Sequence, residues 1–431
     1  MPSPIPARLP TVTADRMLAT WQDLGVGEMV IPVEMVFDRS LDADRLGRAF
    51  ALALDAEPVA GCRFVRERGT SWERLADPAG GAFTVSADAA AYGRFVAGTL
   101  DMFGGPQSRA FLLQASSGDR LCVHVSHAIA DAGGTKHFVG TLSSIYRRLG
   151  TEPSHVPAPN LTGPRGVDQL FRALPLRAHW RALVNFYREM RRLLLPRRTH
   201  RFEPPTGPRA PTVFVVRHVA AERVARLAGY GRARGATLND LLMAAFVRAQ
   251  LAVGPWDGRS QVRLQTTVDL RRYLPGRRAG GVCNLSAFDY FFPGTDPGHD
   301  FVATLERIVA TTRRRKADFT GLTMIGLAPL IAALPYRALR AVFRRMFRDG
   351  IEDHNQPNAL TNMGPIAAGD VDFGGAPTAA WLLTPPIHPP LFGIGVTGYA
   401  GALTLSAGTP AHAAPPIEDL FDRLIAELPE G

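Results

Sequence analysis

Two proline-rich stretches, at 153–164 and 196–211, limit what this chain can fold into. Proline fixes φ and removes a backbone donor, so neither stretch continues a helix or an inner strand, and each reads as a connection. They divide the 431 residues into two halves, each of about 200 residues and so of domain size. Residues 28–38 (EMVIPVEMVFD) read as a strand, with Pro32 suggesting an edge or an irregular stretch. Ser40 is placed to cap a helix over 41–54. Strand patterns follow at 60–66, 71–76 and 108–126, and a helix over 135–149 is stopped by Gly150. A basic helix is expected over 167–196. The second half opens with a strand at 212–219, then a helix begun by Thr237 and Asp240, spaced as a capping box. Strands at 261–269 and 284–292, a helix at 298–317, several strands over 357–407 and a helix at 416–428 complete it. The expected fold class is α/β: a lobe over 1–160, a basic helical and proline-rich crossover over 161–211, and a second lobe over 212–431.

A hydrophobic fraction of 46% with 20% charged residues supports a sizeable core and argues against disorder. Subtracting 39 acidic from 49 basic residues leaves +10, and Lys136 and Lys316 are the only lysines. An arginine skew beside abundant Ala, Gly and Pro reads as codon bias, so no nucleic-acid partner is expected. The charge would equally suit coenzyme A phosphates, an acidic carrier protein or an anionic membrane. Cys62, Cys122 and Cys283 are few and odd in number, so no disulfide framework is implied. The first ten residues have no apolar core of a signal peptide, and no run reaches the length of a spanning helix. A reduced, cytoplasmic protein is expected.

Several motifs fail on context. Gly393, Gly395 and Gly398 spell GxGxxG but run into a strand-like segment, where a dinucleotide site needs a helix. Gly133 to Lys136 lack the spacing of a phosphate loop. His124 and His127 are an odd number apart at a strand end, so their side chains point to opposite faces, and no metal site is expected. The run 313–316 reads as a solvated helix end.

Residues 121–149 (LCVHVSHAIADAGGTKHFVGTLSSIYRRL) combine an alternating strand, a short loop with His127 and Asp131, glycines and an amphipathic helix. A histidine leaving a strand end into a cleft suits a general base, because imidazole titrates near neutral pH. The aspartate can fix the loop by pairing with a distant cation. Spacing alone equally allows a satisfied histidine beside a helix-capping aspartate.

Residues 126–132 (SHAIADA) resemble the HHxxxDG motif of the chloramphenicol acetyltransferase-like superfamily, which includes condensation domains, polyketide-associated acyltransferases and wax ester synthases. Further resemblances follow in order along the chain: PVAGCRF (58–64), ATLNDLLMAAFVRA (236–249), TVDLRRYLP (267–275), TNMGPI (361–366), a DFG-like element at Asp372 and Gly374, and TGYAGALTLS (397–406). The resemblance implies two such lobes forming a pseudo-dimer with a tunnel between them, and His127 as general base. It implies structural roles for Asp131, paired with Arg271, and for Ser126, Gly133, Asp372 and Gly374. Thr361 or Asn362 would stabilise an oxyanion or line the tunnel. Ser126 and Ala132 depart from the motif's first histidine and glycine, and an alanine at a positive-φ position would be strained.

By the same resemblance, the activity is acyl transfer from a thioester to an alcohol or amine, without an acyl-enzyme. No bound cofactor is expected. The co-substrate would be acyl-coenzyme A or a phosphopantetheine thioester on an acyl or peptidyl carrier protein, with a small-molecule acceptor. The rival readings are another reaction on a carrier-bound substrate, such as cyclisation or dehydration, and a non-catalytic acyl-binding partner protein. The stretches 171–196 and 322–347 are basic and amphipathic, either packed helices or a peripheral membrane contact.

Overall fold

A computed structural model describes residues 4–67, 69–193, 198–254, 256–317, 319–322, 326 and 328–430. The first half runs β1 (Arg8–Pro10), α1 (Thr13–Asp23), β2 (Val30–Val36), α2 (Ala43–Ala56), β3 (Cys62–Val65), β4 (Ser71–Arg74), β5 (Phe83–Ser86), α3 (Ala89–Val96), β6 (Ser108–Leu113), β7 (Arg120–Ser126) and α4 (Ala132–Thr151). The crossover carries α5 (Asp168–Ala173), α6 (Leu176–Leu193) and β8 (Thr199–His200). The second half runs β9 (Thr212–Val219), α7 (Ala221–Ala233), α8 (Leu238–Val253), β10 (Gln261–Asp269), β11 (Ser286–Gly294), α9 (Phe301–Ala317), α10 (Ala328–Ala333), α11 (Tyr336–Glu352), β12 (Asn358–Pro365), β13 (Ala379–Leu382), β14 (Gly393–Tyr399), β15 (Ala402–Pro410) and α12 (Ala414–Glu427).

Two sheets organise the core. One has the order β13-β2-β7-β6-β5, with α2 and α4 burying Leu46, Phe50, Phe138 and Leu142 against it. The other has the order β11-β10-β12-β14-β15-β9, with β8 added on β10, and buries Phe246 of α8, Ile308 of α9 and Phe421 of α12. β1, β4 and β3 form a small third sheet. The chain crosses back late: β13 pairs antiparallel with β2, and Phe373 and Leu382 join the first core.

Local chemistry sets where the elements begin. The Thr237 hydroxyl accepts from the Asp240 N–H while the Asp240 carboxylate accepts from the Thr237 N–H at 2.8 Å, the expected box. α2 starts at Ala43 rather than 41, because Asp42, not Ser40, accepts from the Arg45 N–H at 3.0 Å. α4 starts at Ala132 rather than 135, capped by Asp131, and continues through Gly150 to Thr151. Ala132 is not among the positive-φ residues, so the alanine is unstrained.

Other expectations shift for similar reasons. β2 is an inner strand despite Pro32. The Pro32 carbonyl accepts from the Leu383 N–H just past the end of β13, so its donor-less nitrogen meets the open end of that ladder. The expected strand at 108–126 is a hairpin, β6 and β7. The expected helix at 167–196 breaks at Pro175, and its last residues, 194–196, lie outside the described residues, as do 323–325 and 327 of the second basic stretch. Arg313 and Arg315 are not merely solvated: Arg313 donates to the Gly235 carbonyl at 3.0 Å, and Arg315 pairs with the buried Asp289. α1, α3 and α7 carry no sequence expectation above.

The GxGxxG glycines lie along β14, where close packing accounts for Gly393 and Gly395. A Cβ on Gly395 would stand 2.1 Å from the Thr384 hydroxyl and one on Gly393 3.2 Å from Ala359. Gly395→Ala should therefore destabilise the fold by about 1–3 kcal/mol through overpacking, read as a lower urea midpoint with an unchanged slope.

Candidate active site

β7 delivers its last residue, Ser126, into a tight turn. The buried Ser126 donates its N–H to the Gln107 carbonyl at 2.8 Å, and its hydroxyl accepts from the Ala128 N–H at 3.3 Å. His127 follows, with its N–H on the Met29 carbonyl at 2.8 Å. Its ring Nδ1 lies 2.9 Å from the Ala130 carbonyl. A carbonyl can only accept, so the neutral ring carries its proton on Nδ1 and keeps the lone pair on Nε2. Burial lowers the His127 pKa below its ordinary value, against the opposing pull of the Ala130 carbonyl and Asp131. Neutral pH thus finds a neutral imidazole.

Asp131 is buried and fully engaged. Oδ1 accepts from the Gly134 N–H at 2.8 Å, capping α4, and Oδ2 accepts from the Leu285 N–H at 2.7 Å. Arg271, also buried, donates from Nη1 to Oδ2 at 2.9 Å, with Nη2 2.9 Å from Oδ1. Burial pushes the carboxyl's pKa up, but Arg271 and the two backbone donors outweigh it and hold it below the usual value. Arg271 Nη1 also reaches Asp269 at 3.1 Å, and Nη2 the Cys283 carbonyl at 2.9 Å. The glycines serve this approach: a Cβ on Gly133 would stand 2.5 Å from Arg271 Nη1, and one on Gly134 2.5 Å from the Cys283 carbonyl.

Asn284 and Lys136 extend the contact. Asn284 donates its amide to the carbonyls of His127 at 2.9 Å and Ala128 at 3.0 Å, so the segment 283–285 grips the histidine loop from the far half of the chain. Lys136, on the first turns of α4, donates to the carbonyls of Met363 at 2.8 Å and Pro365 at 3.1 Å. It thereby fixes the irregular end of β12, where the register shifts between Asn362 and Gly364. Neither residue stands out in the sequence. Their targets are backbone carbonyls, which leave no pattern; the sole signal is a lysine in a chain with only two.

His127 and Asp131 line a cavity of about 530 Å³. Its wall is mostly apolar, with an aromatic cluster that sequence reading did not single out. Trp21 of α1 stacks on Phe288 of β11 at 5.5 Å and meets Phe343 and Phe347 of α11 edge-on at 6.1 and 5.4 Å. Thr361 and Asn362 line the same cavity. Asn362 donates to Asn239 at 3.2 Å and accepts from the Gly364 N–H at 2.9 Å, whereas the Thr361 hydroxyl has no partner among the described residues. A second hollow of about 620 Å³ shares Thr267, Asp269 and Asn362 with the first, and Arg272, Arg277 and Lys316 line it.

The remaining expected residues lie apart. Asp372 accepts from the Gly375 N–H at 2.5 Å and faces Arg147 at 3.5 Å, with Gly374 at φ 79° in the same turn, beside α4 and away from the cavity lining. His124 stacks on Phe95 at 4.3 Å, and burial depresses its pKa to about 3. Burial raises the Cys283 thiol to about 12 and the Cys62 thiol to about 11, which suits neither to act as a thiolate nucleophile.

No protein-family model matches the chain, and no curated protein sequence does. Solved structures do. Polyketide synthase associated protein 5 from Mycobacterium tuberculosis aligns over 100% of both chains with a TM-score of 0.65 and 18% identity. A trichothecene 15-O-acetyltransferase from Fusarium sporotrichioides aligns over 98% of this chain and 95% of its own, with a TM-score of 0.66 and 13% identity. The epimerization domain from the third module of tyrocidine synthetase B aligns over 99% and 98%, with a TM-score of 0.64 and 14% identity. The chain thus shares, over its whole length, the α/β fold of these solved structures, as its sequence led one to expect. At such identity the likeness concerns fold, not reaction.

Removing one partner of a buried ion pair leaves an uncompensated charge, at a cost of about 3–5 kcal/mol. Arg271→Ala should lower stability by that order at neutral pH. Asp131's folded pKa lies below its unfolded one, so its contribution is present above about pH 3.9 and lost as pH falls through the folded value. The difference from wild type in thermal melts should therefore narrow in acid.

Proposed function

We propose that the protein is an acyltransferase that moves an acyl group from a thioester to an alcohol or amine, with His127 as general base. The observation that carries this reading is the His127 ring itself: Nδ1 is committed to the Ala130 carbonyl, the ring is neutral, and it borders an apolar cavity. Nε2 would accept the acceptor's O–H or N–H proton as that atom attacks the thioester carbonyl. The tetrahedral oxyanion would collapse by breaking the C–S bond, and the departing thiolate would take the proton back from Nε2. The products are an ester or amide and a free thiol.

Thr361 is the preferred oxyanion donor, since its hydroxyl is uncommitted while Asn362 is already bonded at both ends of its amide. Asp131, Arg271 and Asn284 act by holding the loop, not by touching substrate. The adjoining hollow with Arg272, Arg277 and Lys316 suits the phosphates of coenzyme A or of a carrier-borne phosphopantetheine. The two departures from the family motif do not count against activity, because Ser126 keeps the turn hydrogen-bonded and Ala132 sits in the first turn of α4.

Thiol release from a panel of acyl-coenzyme A and acyl-carrier donors, with pooled alcohols and amines, tests the proposal. Release should depend on acceptor and fall by at least about 100-fold in a folded His127→Ala variant. Its kcat/KM should rise with pH through a limb below the ordinary histidine value of about 6.5. Release that ignores the acceptor, or survives in the variant, would sink the assignment.

A further inference from the structure

A helix packed on a protein normally turns its apolar stripe inward. α6 fully buries only Ala178 and Ala182 and half-buries Val184 and Phe186, while Leu176, Trp180, Leu183 and Tyr187 are 87, 67, 56 and 66% exposed. At 100° per residue those four lie within one narrow stripe. A continuous row of large apolar side chains differs from apolar residues scattered singly, which are unremarkable on a surface. Trp and Tyr are also the residues whose amphipathic rings sit at lipid headgroup level.

Charge points the same way. Arg177, Arg181 and Arg188 are exposed along the flank of that stripe, and residues 169–188 contain no aspartate or glutamate. Arginine stems of this kind lie along apolar surface with the guanidinium reaching outward to phosphate. The helix also packs near the connection to α10, an element that lines the cavity. Phe186 of α6 would touch a methyl on Gly326 at 3.4 Å, in the connection leading to α10, and Ile331 of α10 lines the cavity. Val342 and Met346 of α11 both line the cavity and are exposed, so it opens beside α11, where Arg344 and Arg348 are exposed too. Among the described residues no single helix is long and apolar enough to cross a membrane.

We infer that the outer face of α6, with the cavity rim on α11, docks on an anionic lipid surface, in the plane of its headgroups. This docking stands independently of the acyl-transfer reading.

The test is co-sedimentation of the full chain with vesicles of phosphatidylcholine, or of phosphatidylcholine containing phosphatidylglycerol, at low and high salt. Protein should pellet with the anionic vesicles, release at high salt, and stay in the supernatant with the neutral ones. Tryptophan emission should shift to the blue on binding, and Trp180→Phe should remove that shift. The triple variant Trp180→Ser, Leu183→Ser, Tyr187→Ser should bind at least about tenfold more weakly. Arg177→Gln should weaken binding by about fivefold. All these positions are exposed, so melting temperatures should not move.

Protein that stays in the supernatant with anionic vesicles, or pellets equally with neutral ones, overturns the inference. So does a triple variant that pellets like its parent, or one that turns a parent dimer into a monomer, which would give the stripe to a second copy. His127→Ala is expected to bind vesicles as its parent does, and the triple variant to keep its turnover of a short, soluble donor. Failure of docking and failure of acyl transfer are thereby read separately.

Discussion

A carboxylate taken out of water stays ionised only if its lone pairs are occupied, and Asp131 is met by the N–H groups of Gly134 and Leu285 and by the Arg271 guanidinium. These donors come from three places: the first turn of α4, the residue just before β11, and the turn after β10. Ordering them together joins two parts of the chain about 150 positions apart in sequence, beside the cavity that Asp131 lines. It also decides where His127 points. With Asp131 fixed at one end of the loop and Ser126 at the other, the Ala130 carbonyl is placed 2.9 Å from Nδ1, which selects the tautomer. In the proposed reaction the ion pair acts by position, its effect appearing on a neighbouring ring, a use of buried charge attested in some proteins and absent in others.

The cavity shows the same division of labour between lobes. Met29 just before β2, Ile31 of β2 and Trp21 of α1 line it from one side, while β11, α11 and β12 contribute Phe288, Phe343 and Thr361. An apolar hollow with few polar groups suits a site in which a developing charge meets fixed donors rather than water. Basic residues are kept out of the hollow and gathered next to it, at Arg272, Arg277 and Lys316, or on the outer helices. The excess positive charge of +10 is thus carried outside that hollow, whose lining holds no arginine or lysine.

Much of the architecture was legible in the sequence because it rests on local rules. The strands read at 212–219 and 261–269 match β9 and β10 at their observed limits, and the Thr237–Asp240 pair marked the start of α8. Asp131 illustrates where local reading stops. The sequence allowed either a helix cap or the partner of a distant arginine, and the side chain does both. Asn284 escaped notice, and Lys136 was weighed only as part of a phosphate loop, because both bond to backbone carbonyls, which any sequence can supply. Trp21 was missed since its role arises from a cluster drawn from three elements, α1, β11 and α11. Pro32 misled because its constraint depends on which neighbour its nitrogen faces, and that is settled only when β13 docks.

The account turns on the state of one ring, and nitrogen-15 NMR of the His127 imidazole observes that state directly. Two-bond couplings should report the tautomer with the proton on Nδ1, and a pH titration should place its midpoint below the ordinary histidine value of about 6.5. A ring protonated on Nε2, or one that titrates at or above that value, would contradict the claim that the Asp131–Arg271 contact presents a neutral base to the cavity.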